Sequence, residues 1–102
     1  MANQPVTIGF QGYQFVGTHQ TVTPTSASGI TIPAGANAIL MQAVGQNVRM
    51  KFDGAQPSPT SGFQLRAGDP PVLFVGHEGM FFYVIGEVSG ATFEWIGVSQ
   101  PV

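Results

Sequence analysis

Residues 29–69 read GITIPAGANAILMQAVGQNVRMKFDGAQPSPTSGFQLRAGD, and the fold class turns on how this stretch divides. In its middle, Val48, Met50 and Phe52 alternate with Asn47, Arg49 and Lys51. Successive side chains of a strand point to opposite faces, so this is a strand with one apolar and one wet face. Asp53-Gly54 follows at once, a turn dipeptide in which glycine tolerates positive φ. Upstream, residues 39–44 (ILMQAV) are apolar on both faces except at Gln42, which predicts a central strand covered on two sides. Gly45-Gln46 makes a tight connection between the two runs. The local pattern therefore predicts a β-hairpin over residues 39–52, with the rest of the chain wrapped on it.

The remainder of the chain repeats the theme of short strands and turns. Val6, Ile8 and Phe10 alternate with polar or small residues, and the phase then slips by one to Tyr13 and Phe15, which predicts a bulge or bend at Gln11-Gly12. Residues 17–28 are rich in Thr and Ser, with room for a short edge strand over residues 20–23 that ends at Pro24. Ile30 and Ile32 bracket Thr31 in a short strand, and Pro33-Ala34-Gly35-Ala36 is a turn. After a Pro-rich loop at residues 55–61, Phe63 and Leu65 alternate with Gln64 and Arg66. Residues 72–75 are a short apolar strand. Residues 80–85 (MFFYVI) are the most apolar run, and Phe93 and Trp95 share one face of a last strand with Thr92, Glu94 and Ile96 on the other. Fourteen glycines and eight prolines interrupt every helical period. The expectation is an all-β, small antiparallel β-sandwich, jelly-roll-like, of eight to nine short strands in a single domain spanning residues 1–102.

Charge is the most unusual feature of the composition. Charged residues make up 8% of the chain, against a usual share of about 25%. Hydrophobic residues make up 43%, so the chain can build a core. The surface must be neutral-polar, either a Thr/Gln-rich coat or a surface covered by neighbours. Charge depletion is a mark of interface cores and favours the second. The only basic residues are Arg49, Lys51 and Arg66, too few for a phosphate-tracking stripe, so no nucleic-acid partner is expected. No apolar run approaches the roughly 18 residues of a membrane span, and the first residues carry no secretory pattern. There is no cysteine, so neither disulfides nor thiolate metal sites arise.

Catalytic chemistry finds little to stand on. No G-x-S-x-G elbow occurs, and His19 and His77 lie in loop-like segments with no spacing that selects a nucleophile. His77-Glu78 is the only adjacent pair of metal-ligating types. Asp53 and Asp69 sit in turns, where an aspartate ordinarily bonds its own backbone. The carboxylates Asp53, Asp69, Glu78, Glu87 and Glu94 are scattered along the chain rather than paired. No phosphate-binding glycine motif is present. The expectation is a protein that is not an enzyme, with no catalytic residues, no cofactor and no metal.

Aromatic residues gather toward the C-terminus at Phe81, Phe82, Tyr83, Phe93 and Trp95. Most serve a core. Three consecutive rings at residues 81–83 cannot all face one side, so at least one meets solvent, a second sheet or a neighbouring subunit. Phe81, Phe82, Tyr83, Trp95 and Ile96 are the candidate subunit or capsid interface. Trp95, Tyr83 or Tyr13 could alternatively form a sugar-stacking platform.

The ordered set of turns carries a resemblance. Thr31 to Ala36, Gln46 to Arg49, Asp53-Gly54, Pro57 to Thr60 and Gly62 to Asp69 stand in the order T-I-P-A-G-A, Q-N-V-R, D-G, a Pro/Thr loop and G-x-x-L-x-x-G-D. In this, the middle third to half of the chain resembles small β-sandwich virion proteins of tailed bacteriophages. The N-terminal strand and the MFFYVI segment lie outside the match. The resemblance implies a structural protein made in the host cytoplasm and placed on the capsid surface of the virion. A head decoration (cement) protein comes first, with a tail, neck or fibre component as the alternative. It implies partnership with itself, as a homotrimer or other homo-oligomer, and with the major capsid protein. A carbohydrate-binding module is the reading from a different class.

Overall fold

The structure is a computed structural model and describes residues 13–100. Eight strands and no helix make up this part of the chain: β1 Gln14–Val22, β2 Ser28–Thr31, β3 Ala38–Val44, β4 Val48–Lys51, β5 Phe63–Leu65, β6 Val72–Val75, β7 Phe81–Gly86 and β8 Thr92–Ser99. They form two four-stranded sheets, β1-β8-β3-β6 (sheet A) and β2-β7-β4-β5 (sheet B). Every pairing is antiparallel.

The order of the strands has a simple origin. The pairs β1/β8, β2/β7, β3/β6 and β4/β5 are the rungs of one long hairpin whose tip is the β4–β5 loop. Rolling that hairpin brings β8 against β3 and β7 against β4, which completes both sheets. This is a jelly roll, a double-sheet architecture of eight strands and two Greek keys. The expected all-β sandwich is therefore the observed fold.

Period-two patterning places the core between the sheets. Ile39, Met41 and Ala43 of β3 face Val48 and Met50 of β4 and Phe82 and Val84 of β7, and all are buried. Phe82 and Phe93, both fully buried, meet edge to face at 6.3 Å across the sheets. From Phe82 the rings continue outward through Phe74 at 5.6 Å and Phe52 at 5.1 Å. Each buried side chain of this size contributes about 1.5–3 kcal/mol of transfer free energy. No polar side chain among the described residues is buried, so the interior owes its stability to apolar contact rather than hydrogen-bonded networks.

The hairpin predicted over residues 39–52 does not form. The two runs are strands as expected, but β3 belongs to sheet A and β4 to sheet B. The connection between them is a corner that carries the chain across the sandwich. Gly45 turns it with φ of 84°, and a β-carbon there would lie 2.9 Å from the Gly90 carbonyl oxygen. Asn47 then fastens the corner: its carbonyl accepts from the Glu87 N–H at 2.9 Å and its side-chain oxygen from the Ala67 N–H at 2.9 Å. The short edge strand expected over residues 20–23 is instead the second half of β1, which lies at the edge of sheet A. A bulge between Val16 and Gln20 interrupts its register with β8. The strand and bulge predicted over residues 6–12 lie outside the described residues.

The expected turns are present. The Ala36 N–H bonds the Pro33 carbonyl at 3.1 Å. Asp53 accepts from the Ala55 N–H at 3.1 Å, the backbone bond expected of an aspartate in a turn. The Asp69 N–H bonds Arg66, and the Met80 N–H bonds His77.

Candidate functional site

Three surfaces of the sandwich hold side chains able to engage a partner. The first is the outer face of sheet B. Alternation sends Phe82 and Val84 inward and Phe81 and Tyr83 outward. Phe81 and Tyr83 meet edge to face with centroids 4.9 Å apart. Beside them, Glu87 gathers three donors: Arg49 Nε at 2.5 Å, Gln64 Nε2 at 2.7 Å and Asn47 Nδ2 at 3.3 Å. The Gln64 bond foremost, with the Arg49 guanidinium and Asn47 adding to it, holds the Glu87 carboxyl below its ordinary value, against an opposing push from burial. Arg49 also donates to the Gly62 carbonyl at 3.1 Å. The cluster ties β4, β5 and the start of the β7–β8 turn together, and its charges are consumed within the chain.

The second surface is the open margin of the sandwich where the outermost strands β5 and β6 lie. Phe52 stacks on Phe74 at 4.7 Å, and Phe63 tilts toward Phe52 at 6.0 Å. Phe63 is 72% exposed although it stands on the core-facing side of β5, opposite Met50. A groove of about 500 Å³ opens here, lined by Lys51, Phe52, Asp53, Gly62 and Phe63. On the adjoining β6, Val72 and Val75 are exposed. The margin is thus an apolar strip with one charge of each sign beside the groove.

The third is the outer face of sheet A. Gln42 donates to Glu94 Oε1 at 2.7 Å, and His19, carried on the β1 bulge, stands 3.8 Å from the same oxygen. Leu40 and Ile96 are direct cross-strand partners beside them. These residues, with Pro71 and Trp95, line a shallow hollow of about 80 Å³.

The five residues expected to form an interface are not brought together. Phe82 is fully buried and offers no surface to a partner, a correction to its candidacy that follows from the inward phase of β7. Phe81 and Tyr83 share the outer face of sheet B. Trp95 is half-buried against the core from sheet A, and Ile96 points to the outer side of that sheet. The strongest exposed apolar residues, Phe63 and Val75, were not singled out from the sequence. Phe63 lies in a segment that alternates and Val75 in a short apolar run, and only the sheet order reveals that both lie at an open edge.

The residues weighed for chemistry stay apart or serve the fold. His77 bonds the Glu78 backbone, and Glu78 Oε1 accepts from the Gly35 N–H at 2.9 Å. Among the described residues no three His, Asp or Glu side chains converge to ligate a metal. Among the described residues no helix is long and apolar enough to cross a membrane.

No family model, no curated protein and no solved structure matches the chain.

Proposed function

We propose that this chain is a structural protein of a tailed-bacteriophage virion, a capsid decoration protein that binds the head shell as a homo-oligomer. The observation that carries the reading is the contrast between a charge-poor exterior and the large apolar side chains on it. Phe15, Val44, Phe63, Val72, Val75, Phe81 and Val88 are all exposed, while charged residues make up only 8% of the chain. Several of those charges are spent inside the molecule, as in Arg49–Glu87 and Glu78–Gly35. A sandwich with this surface stabilises itself by contact with neighbours, and the resemblance of its turns to small phage virion proteins supplies the setting. The work is mechanical: apolar area buried against the major capsid protein contributes about 25 cal/mol per Å², repeated over many copies of the shell.

The test is direct. Purified protein added to expanded capsids lacking it should co-sediment with them and raise their melting temperature. Failure to bind such capsids overturns the decoration role. Density at the neck or tail of a particle reconstruction would assign the tail, neck or fibre role instead.

A carbohydrate-binding module is the second reading, and the sheet A hollow favours it. Glu94 and Gln42 offer an acceptor and an amide beside the apolar Leu40 and Ile96. Binding on a broad glycan array, lost on Glu94→Ala with the fold intact, supports this reading; silence on the array removes it.

A further inference from the structure

We propose that the free edge of β6 is the seam at which two copies of this chain join, strand to strand about a twofold axis passing beside Phe74. The inference rests on the reading of the chain as an assembling structural protein and names the surface by which it assembles.

The backbone supplies the first argument. β6 pairs with β3 on one side and, among the described residues, is the last strand of sheet A on the other. The Gly76 N–H bonds the Asn37 carbonyl at 3.0 Å, which fixes the alternation of the ladder. Antiparallel strands exchange hydrogen bonds at every second residue pair. Phe74 and Val72 therefore turn their backbone groups to β3, and Leu73 and Val75 turn theirs to the open edge. A second β6 laid antiparallel, with Phe74 opposite its own copy, sets Leu73 opposite Val75 at both ends of the pair. Each such pair exchanges an N–H···O=C bond in both directions. The edge is thus complementary to itself, as a twofold interface requires.

The side chains agree. β6 is Val-Leu-Phe-Val, with no charged or polar residue. In the proposed pairing Leu73 meets Val75 of the other copy on the outer face, twice, and the two Phe74 rings meet on the inner one. Val75 is 60% exposed in the single chain. Val72 would stand opposite Gly76, which has no side chain to obstruct it. Lys51 and Asp53 flank the same margin with opposite signs, and neither forms an ion pair within the chain among the described residues.

The other edges are more heavily defended than that of β6. Natural edge strands avoid pairing through bulges, charges, proline or brevity. The β1 edge is broken by its bulge. β5 has three residues and is crossed on its outer face by the Arg49–Glu87–Gln64 cluster. β2 carries the polar Ser28 and Thr31. On β6 the single guard is Pro71, just ahead of the strand, which has no N–H to offer. It stops the free ladder at its start and confines the seam to one short strand.

The full-length protein tests this by sedimentation equilibrium at micromolar concentration. The expected mass is an even multiple of the 10.7 kDa chain. Val75→Lys should at least halve that mass while keeping the far-ultraviolet β-sheet signal of the folded chain, whereas Phe81→Ser, on the other sheet, should leave the mass unchanged. Register is tested separately, since the chain has no cysteine of its own. Under mild oxidation a mixture of Leu73→Cys and Val75→Cys proteins should cross-link far faster than either variant alone. A monomer at every concentration, an odd-numbered assembly, an unchanged mass in Val75→Lys, or equal cross-linking of mixed and single variants each overturns the seam. Capsid binding by a protein that fails these tests leaves the decoration role standing, and a dimer that ignores capsids does the reverse.

Discussion

Gly29 on β2 lies beneath the ring of Phe81 on β7: a β-carbon at position 29 would sit 2.5 Å from two of the ring carbons. The direct cross-strand partner of Gly29 is Tyr83, and that of Phe81 is Thr31, so the ring leans diagonally over the bare backbone of an edge strand. An aromatic side chain covering a strand glycine shields backbone that would otherwise face water. Gly29→Ala should push the ring aside and disturb its edge-to-face contact with Tyr83. An aromatic pair of this kind is worth about 0.5–1.5 kcal/mol, and the expected loss of stability is of that size. A changed near-ultraviolet Tyr signal with a lower urea midpoint would bear this out; a variant as stable as the parent would contradict it.

Burial separates two phenylalanines that look alike in the sequence. Phe82 is fully buried and Phe63 is 72% exposed. Phe82→Ala should cost about 3–5 kcal/mol through lost transfer energy and an unfilled cavity. Phe63→Ala should change monomer stability by no more than about 0.5 kcal/mol. Denaturant titrations of both variants measure the difference.

The corner at Gly45 cannot easily accept a side chain. With φ of 84° and a carbonyl oxygen 2.9 Å from the site of a β-carbon, Gly45→Ala meets both a backbone and a steric penalty. A loss exceeding about 1 kcal/mol is expected. Gly54→Ala has positive φ but open space around it, so it should be the milder of the two in thermal melts.

Acid should weaken the molecule through Glu87. Its carboxyl is held below its ordinary value of 4.5, first by the Gln64 amide and then by Arg49 and Asn47. A depressed carboxyl stabilises the folded state at pH values above the unfolded-state pKa. That contribution disappears as pH falls through the folded-state value. Glu87→Gln should therefore be less stable than the parent at neutral pH, and the gap should narrow as pH drops below 4.5. Urea midpoints for both proteins across that range decide the matter; a gap that stays constant would mean Glu87 is not the titrating group.

Much of this fold is legible in the sequence because short-range rules govern it. The alternation of Val48, Met50 and Phe52 gives the faces of β4, and Asp53-Gly54 ends that strand. Three consecutive rings cannot face one way, so Phe81, Phe82 and Tyr83 must divide between the two faces, but which of them turns inward, Phe82, is decided by the position of β7 in its sheet. What fails is pairing between distant segments. A short Gly-Gln connection between two apolar strands reads equally as a hairpin or as a corner between sheets. The choice is made by β8 and β7, which claim β3 and β4 from 56 and 36 residues further along in Leu40↔Ile96 and Arg49↔Ile85. The same blindness hides the exposed margin. Phe63 has the phase of a core residue, and only its position on an outermost strand leaves it at the surface.

The placement of β8 between β1 and β3 also dictates an order of events during synthesis. β3 can pair with β6 early, but β1 has no neighbour in sheet A until residues 92–99 have been made, so it waits on the ribosome with nothing to join it to β3 and with the place of Phe93 unfilled. Translation stopped just before Thr92 would release a chain whose first strand has no partner among the others, prone to degradation or clumping however well sheet B had formed.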